Sequence, residues 1–382
     1  AHIGDAEIAD AAADLKHQFY GWRKFLLTGT SVNYDTGGPG SAIGFDPSHI
    51  ALRDIRLGID SVMYYGRDMN AVIREFSMYE RSGLSVTSLT GRLFADFTVI
   101  RIPSLKLLTP HSEMNLTAQT YWELINIPTT GRLTARFNAR IGKQDVLLFA
   151  GGLPETFKEA YPFRPLVIHA GTEGNLKQMQ ISRFTAELPG AFSLNGGGEF
   201  WNLTDSVKRN GNMDFEMHTQ NLNFLTGLAD IAPDGSIIVP DSMHLAARVG
   251  MEGTQCTAAL KLLEKEGVLN LDAAYNLATE AYHADLAINN LQVHHFLPKD
   301  SIYTLTAKMS AKGQGVDVAS RKTVAALNAS LEKLQYGHWD ISGVEAHAGL
   351  KSSVATVRLA SDNVLLKMQG NADMRLDRSS LD

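Results

Sequence analysis

The residues of this chain that could do chemistry are few and scattered. The single cysteine, Cys256, cannot form an intramolecular disulfide, and its place in the alternating run 254–262 favours a small buried hydrophobe. His294 and His295 are adjacent, which on a continuing strand would place them on opposite sheet faces, a poor geometry for one metal ion. The sequence also lacks the Gly-x-Ser-x-Gly, His-Glu-x-x-His and phosphate-loop motifs.

Glycines and carboxylates add no catalytic pattern. The glycine clusters at 37–40 and 196–198 do not lead into a helical pattern, so they are typical of turns and sheet bends rather than anion-binding loops. Carboxylates such as Asp272 and Asp373 fall at outward strand positions or in turns and do not form an acid–base pair. We therefore predict that the protein is not an enzyme, with no catalytic residues, no cofactor and no metal site.

Composition limits the partners. Hydrophobic residues make up 44% of the 382 residues and charged residues 20%, which is typical of a folded protein. The net charge of -6 leaves no basic stripe for a phosphate backbone, so nucleic acid is not expected as a partner. The apolar runs, such as 145–152, fall short of the roughly 18 residues of a membrane span. The chain begins with Ala rather than Met, and we interpret it as an internal fragment.

The residues before position 20 differ in pattern from the rest of the chain. Apolar side chains recur there at helical spacing, with acidic residues between them: Ile3, Ile8, Ala12, Leu15 and Phe19. This spacing predicts an amphipathic helix over 1–20. From residue 22 to residue 382 the period changes to two, as in the run 133–141, and short breaks rich in Gly, Asn, Asp and Pro separate the runs. We expect one continuous repeating β-region over 22–382.

One helical segment interrupts these strands. Pro154 lies near the start of the segment 153–161, Pro162 blocks its continuation, and one face carries Leu153, Phe157 and Tyr161. We expect this short helix to hide that face at the edge or mouth of the sheet, or to cap one sheet edge. The segment 320–333 fits either a helix or a strand.

The alternation gives every strand one apolar face. Taken strand by strand, that face could be the inside of a sandwich or barrel. Roughly sixteen to twenty antiparallel strands without domain spacing favour instead an all-β fold, a long antiparallel repeat sheet curled into a U-shaped hydrophobic groove. The predicted groove lining consists of Leu133, Phe137, Ile141, Phe192, Leu194, Phe215, Met217, Leu269, Leu271, Tyr275, Leu305, Met309, Leu366, Met368 and Met374.

A resemblance to a known family rests on several segments. They are the strand-rich repeat and the segments 50–57, 82–93, 153–158 leading to 165–168, and 174–176. In these the chain resembles the TamB branch of the AsmA-like proteins, also called translocation and assembly modules and related to bridge-like lipid-transfer proteins, in its Bacteroides-type form. The likeness covers nearly the whole chain from about residue 22.

The resemblance implies a β-taco groove in the periplasm of a Gram-negative cell, with the full-length protein anchored in the inner membrane. It implies that phospholipid acyl chains, or detergent in their place, are carried between the inner and outer membranes. The alternative is an assembly factor that helps an outer-membrane β-barrel protein to insert, by strand augmentation beside a TamA-type partner. The apolar lining favours the first. A carbohydrate-binding or adhesin array is disfavoured, because aromatic residues make up only 8% of the chain.

Overall fold

The structure is a computed structural model that describes residues 2, 4–17, 19–37, 44–65, 68–229, 235–318 and 320–376. The chain divides into two compact units, Ala1–Gly197 and Gly198–Asp382. The described strands pair in antiparallel fashion. The predicted all-β, antiparallel architecture is confirmed.

The described residues of the first unit form long strands and three short helices. Its strands are β1 (Asp5–Ala9), β2 (Ala12–Asp14), β3 (Phe19–Asp35), β4 (His49–Tyr65), β5 (Asp68–Glu80), β6 (Ser85–Val86), β7 (Ser88–Ala95), β8 (Val99–Leu108), β9 (Glu113–Tyr121), β10 (Leu133–Ile141), β11 (Leu166–Gly174) and β12 (Gln178–Leu188). Strand β13 (Phe192–Trp201) runs across the division between the units. The helices are α1 (Trp122–Asn126), α2 (Lys143–Phe149) and α3 (Glu155–Ala160).

In the part of the second unit that the structure describes, the strands are accompanied by two short 3-10 helices, at Asn223–Ala229 and Val293–His295. Its strands are β14 (Asn210–Thr219), β15 (His244–Glu252), β16 (Gln255–Glu264), β17 (Gly267–Asn276), β18 (Ala281–Gln292), β19 (Ile302–Gln314), β20 (Val324–Tyr336), β21 (Trp339–Ile341), β22 (Val344–Lys351), β23 (Val354–Asp362) and β24 (Lys367–Arg375). Each pairs with a neighbour in the chain, and β20 pairs with β19 as well as with β21 and β22.

Tight turns hold the register between these strands. Glu252 pairs with Gln255, so the loop between β15 and β16 has two residues, and its Gly253 adopts a φ of 56°. The β22–β23 loop is equally short, and Ser352 and Ser353 have φ values of 53° and 61°. Positive φ in a two-residue loop matches the right-handed twist of the flanking strands. Because the register is fixed, apolar residues on successive strands stay on one face.

The predicted amphipathic helix over 1–20 is wrong. The described residues there form β1 and β2, which pair with consecutive parts of β3. The apolar residues that suggested a helix, including Ile8 and Leu15, are 58% and 77% exposed. An isolated helix of this length is only marginally stable in water unless its apolar face is packed. Hydrogen bonds to β3 therefore stabilise the segment as strands.

Three other sequence interpretations are decided by the structure. The short helix within 153–161 is confirmed as α3. The segment that fitted either a helix or a strand is a strand, β20, because strands on both sides supply hydrogen-bond partners. His294 and His295 do not continue a strand: β18 ends at Gln292 and both histidines lie in a 3-10 helix.

The chain buries little of its surface. It exposes 22764 Å², whereas two separately compact units, each of half its 41.7 kDa, would expose about 18,000 Å² in total. Among the described strands of the second unit, most apolar side chains are at best half-buried, which contributes to this excess. Among the described residues, no helix has the length and apolar character needed to cross a membrane.

Candidate functional site: an apolar sheet face

In the first unit, apolar residues on neighbouring strands lie directly opposite one another. Phe137 on β10 is paired with Leu116 on β9 and with Ala170 on β11, and Ala170 is paired in turn with Phe184 on β12. A second row crosses six strands through Leu89, Leu107, Met114, Ala139, Ile168 and Ala186. Residues directly opposite in antiparallel strands share a sheet face, so these rows form one surface.

The second unit carries two longer rows of the same kind, each crossing ten strands. The first runs through Phe215, Ala247, Leu260, Leu271, Leu286, Met309, Ala329, Ala346, Leu359 and Gly370. The second runs through Met217, Leu245, Leu262, Leu269, Ile288, Ala307, Leu331, Val344, Ser361 and Met368. We call the surface that carries these rows in each unit its apolar face, and the opposite surface its polar face.

The apolar face of the second unit is not a dry core. Among the apolar side chains of the described strands β14–β24, only Leu350 is buried. Met309 lies in the middle of the first row and is still 38% exposed, and Met374 at the last strand is 63% exposed. A packed sandwich would bury most of these side chains below a second layer. The face is therefore apolar and open.

The polar face carries paired charges and amides. The Arg248 side chain donates to Asp214 at 2.5 Å, and the His347 ring lies 2.8 Å from the Asn328 side-chain oxygen. Such exposed pairs contribute little to stability, but they keep this face hydrated. The two faces of the sheet therefore differ in polarity.

A recess of about 390 Å³ lies on the polar face of the second unit and includes Asp272, Asp285 and Lys308 in its lining. Lys308 is paired with Glu332 at 2.5 Å, and Asp285 with His283 at 2.7 Å. Lys308 and Asp285 are therefore each paired within the sheet. The recess is an irregularity of a solvent-exposed polar surface, and we assign no ligand to it.

Most of the predicted lining residues lie on described strands. Leu133, Phe137 and Ile141 alternate on β10, and Phe192 and Leu194 are half-buried on β13. The two long rows contain Phe215, Met217, Leu269, Leu271, Met309 and Met368. A further row on the same face contains Tyr275 and Met374. Tyr275 is paired with Cys256 and Tyr282, and Met374 is paired with Ala355. Leu305 is paired with Leu291 and Leu334. That these residues line a lipid path stays a prediction.

Leu366 is not where the alternation placed it. The last strand, β24, begins only at Lys367, and the Leu366 amide donates to the Asn363 carbonyl in the preceding turn. Asn363 explains the late start, because its side chain also accepts a hydrogen bond from the Leu365 amide and so stabilises the turn. Leu366 is 41% exposed and lies outside β24.

Several members of the rows were not among the predicted lining residues, among them Leu260, Leu262, Leu286, Ile288 and Leu359. Each lies in a run with the same period of two. The alternation could have identified all of them. What the sequence does not give is the register that brings them into the same rows.

The predicted helix places its apolar face away from solvent. Phe157 and Tyr161 are buried, with ring centroids 5.8 Å apart, and Leu153 is half-buried. Burial raises the pKa of the Tyr161 hydroxyl. The helix follows the end of β10 at Ile141 and precedes the start of β11, so it lies at the strand ends of the first unit. These side chains belong to a small core there.

Polar contacts attach α2 to the same strand ends. The Lys143 amino group donates to the carbonyl of Tyr161 at 2.7 Å. The Thr109 and Ser112 hydroxyls, from the turn between β8 and β9, donate to the Asp145 carboxylate. The helices α2 and α3 thus form one end cap that is tied to the turns of the sheet.

No family model, curated protein or solved structure matches the chain. The resemblance to the TamB branch therefore stays a hypothesis based on the quoted segments.

Proposed function

We propose that this protein carries phospholipid acyl chains along its apolar face, as a periplasmic segment that moves lipid between the inner and outer membranes. The proposal rests on the two ten-strand apolar rows of the second unit. The strands of that unit leave the side chains of these rows partly exposed. The periplasmic setting is inferred from the family resemblance, and the carriage of acyl chains is inferred from the exposed apolar face.

The rows are long compared with a lipid tail. Neighbouring strands lie about 4.8 Å apart, so the nine intervals of a ten-strand row span about 43 Å. One leaflet of a bilayer contributes about 15 Å to the hydrocarbon core. A lipid could therefore move along a row from one site to the next without leaving apolar contact.

The chemistry of the face suits transport rather than tight recognition. Removing a methylene from water releases about 0.8 kcal/mol wherever the apolar surface lies. The side chains of the two rows are Leu, Ile, Val, Met, Phe and Ala, with Ser361 and Gly370 near one end. They offer no charge that would select a head group. A surface that binds tails equally along its length lets the lipid slide.

Native mass spectrometry and lipid extraction of the purified protein test this proposal. We expect copurified phospholipid, and we expect a variant with Leu260→Asp and Leu286→Asp to lose most of it. The matched control is Thr257→Asp with Ala287→Asp, which adds the same two negative charges on the polar face of the same two strands. Lipid-free wild-type protein that also takes up no added phospholipid, or equal lipid loss in both variants, would contradict the proposal.

A second candidate function is supported by the last described strand. β24 pairs with β23, no further strand among the described residues pairs with it, and all nine of its residues are exposed. Such an edge can accept a strand from an unfolded client, as an assembly factor beside an outer-membrane barrel would require. Added client should then protect from hydrogen exchange those β24 amides that face away from β23. Unchanged exchange with a bound client would contradict this role.

A further inference from the structure

The polar face of the second unit brings three metal-ligating side chains together. Glu216 and His218 are two residues apart on β14, so both point to the polar face. His244 on β15 is directly opposite His218. The Nε2 atom of His244 lies 2.9 Å from Oε1 of Glu216, and the Nε2 atom of His218 lies 3.6 Å from the same oxygen. One ligand atom from each of the three lies within 4.8 Å of the others.

The backbone beneath this cluster is fixed. Thr219, which follows His218, is buried, and its amide and hydroxyl both donate to the carbonyl of Met243. Met243, which precedes His244, is also buried, and its amide donates to the Thr219 hydroxyl. The two histidines are therefore carried by strand ends that do not have to rearrange when a ligand binds.

The side chains leave room for an ion. Ala246 is opposite Glu216, so no large side chain fills the space across from the carboxylate. The imidazole rings of His218 and His244 are parallel, 5° apart in plane, with centroids separated by 4.4 Å. Both Nε2 atoms lie within 3.6 Å of the same Glu216 carboxylate oxygen.

We propose that Glu216, His218 and His244 bind a first-row transition metal ion of the Zn²⁺ class on the polar face. Ligand–metal distances are about 2.0–2.2 Å for imidazole nitrogen and carboxylate oxygen, so the three donors need only small side-chain rotations to share one ion. Two imidazoles select such metals over Ca²⁺ and Mg²⁺, which prefer oxygen ligands.

The site holds three protein ligands and leaves a fourth position open to solvent, since Glu216 and His218 are more than half exposed. A bound ion would link β14 to β15 and so stabilise this strand pair. Arg248 is the nearest cation along β15 on this face, and it is paired with Asp214 at 2.5 Å. The proposal concerns the polar face and does not depend on lipid carriage.

Calorimetric titration of tag-free protein with Zn²⁺, together with the visible absorption spectrum of the Co²⁺-loaded protein, tests the site. We expect saturable binding of one Zn²⁺ and a rise in the melting temperature. His218→Ala and His244→Ala should each weaken binding by at least about tenfold and should abolish the Co²⁺ spectrum. Both side chains are solvent-accessible, at 57% and 33% exposed, so the variants should keep the wild-type circular dichroism spectrum.

His283→Ala is the matched control. His283 lies 2.7 Å from Asp285, two residues along β18. Its cross-strand neighbours are Ala274 and Lys312, which supply no third ligand. This variant should bind Zn²⁺ as the wild type does. Absence of saturable binding by the wild type, wild-type affinity in both test variants, or an equal loss in His283→Ala would each overturn the proposal.

Discussion

At the scale of single residues, the two faces of each strand differ in how much an added charge lowers the free energy of unfolding. Leu271 lies between Leu260 and Leu286 in the first row, whereas the adjacent Asn270 lies on the polar face and is exposed. The two positions are one residue apart in the same strand. They allow the character of each face to be measured without changing the fold around it.

Leu271→Asp should lower the free energy of unfolding by about 1–3 kcal/mol, because a half-buried carboxylate replaces apolar contacts. It should also lower the amount of copurified lipid. Asn270→Asp should change neither quantity. Thermal melts and lipid analysis of both variants measure the difference. If Leu271→Asp prevents folding altogether, the face is a packed core instead of an open surface.

Glu80 is a buried carboxylate that ties the end of β5 to its neighbours. Its oxygens accept hydrogen bonds from the amides of Ala51 at 3.0 Å and Ser82 at 2.6 Å. Burial alone would raise the pKa of Glu80, but the hydrogen bonds that its carboxylate accepts from the amides of Ala51 and Ser82 outweigh burial and lower the pKa. The ionised form is therefore the one that stabilises the fold.

A lowered pKa in the folded state stabilises the protein above the unfolded value of about 4.3, and this contribution is lost as the pH falls through the folded value. Glu80→Gln should therefore be less stable than the wild type at neutral pH, and the difference should shrink below about pH 4. Chemical denaturation over a pH series measures it. Glu266→Gln, at an exposed glutamate, is the control. A difference that stays constant over the whole series would contradict the role of the charge.

At the scale of elements, the sequence predicts most strands because period-two alternation is a local signal. β10, for example, is found at the predicted residues 133–141. The first twenty residues could not be assigned correctly, since β1 and β2 exist only through their pairing with β3, a contact that a local pattern does not report. The metal-ligand cluster was missed for the same reason. His218 and His244 are 26 residues apart in sequence, and only the β14–β15 register brings them together.

The element α3 should be needed for the stability of the first unit. Phe157→Ala removes a buried ring that packs beside Tyr161, and such a change costs about 3–5 kcal/mol. Phe97→Ala makes the same replacement at a side chain that is 61% exposed, and it should cost under about 1 kcal/mol. Urea denaturation of both variants compares them. Equal losses of stability in the two variants would mean that the buried Phe157 ring of the end cap stabilises the unit no more than an exposed side chain does.

At the scale of the whole molecule, the chain exposes apolar surface while fully folded. Native protein stripped of lipid should therefore bind an environment-sensitive dye such as ANS, a behaviour otherwise typical of partly folded states. Added phospholipid should displace the dye, and the melting temperature should rise by mass action. Fluorescence and calorimetry on one sample measure both effects. Dye that binds only above the melting temperature would show that the apolar face is closed in the native state.

Pairing between strands that are neighbours in the chain has a consequence for length. β16 and β17 form a hairpin between β15 and β18, and one row crosses these four strands at Met251, Cys256, Tyr275 and Tyr282. Excision of that hairpin would let β15 pair with β18, with Met251 opposite Tyr282 and both faces preserved. Removal of a single strand would instead leave two neighbours pointing the same way, which a short turn cannot connect. Such a protein can be lengthened or shortened by whole hairpins, so the length of its apolar rows can change without any new fold.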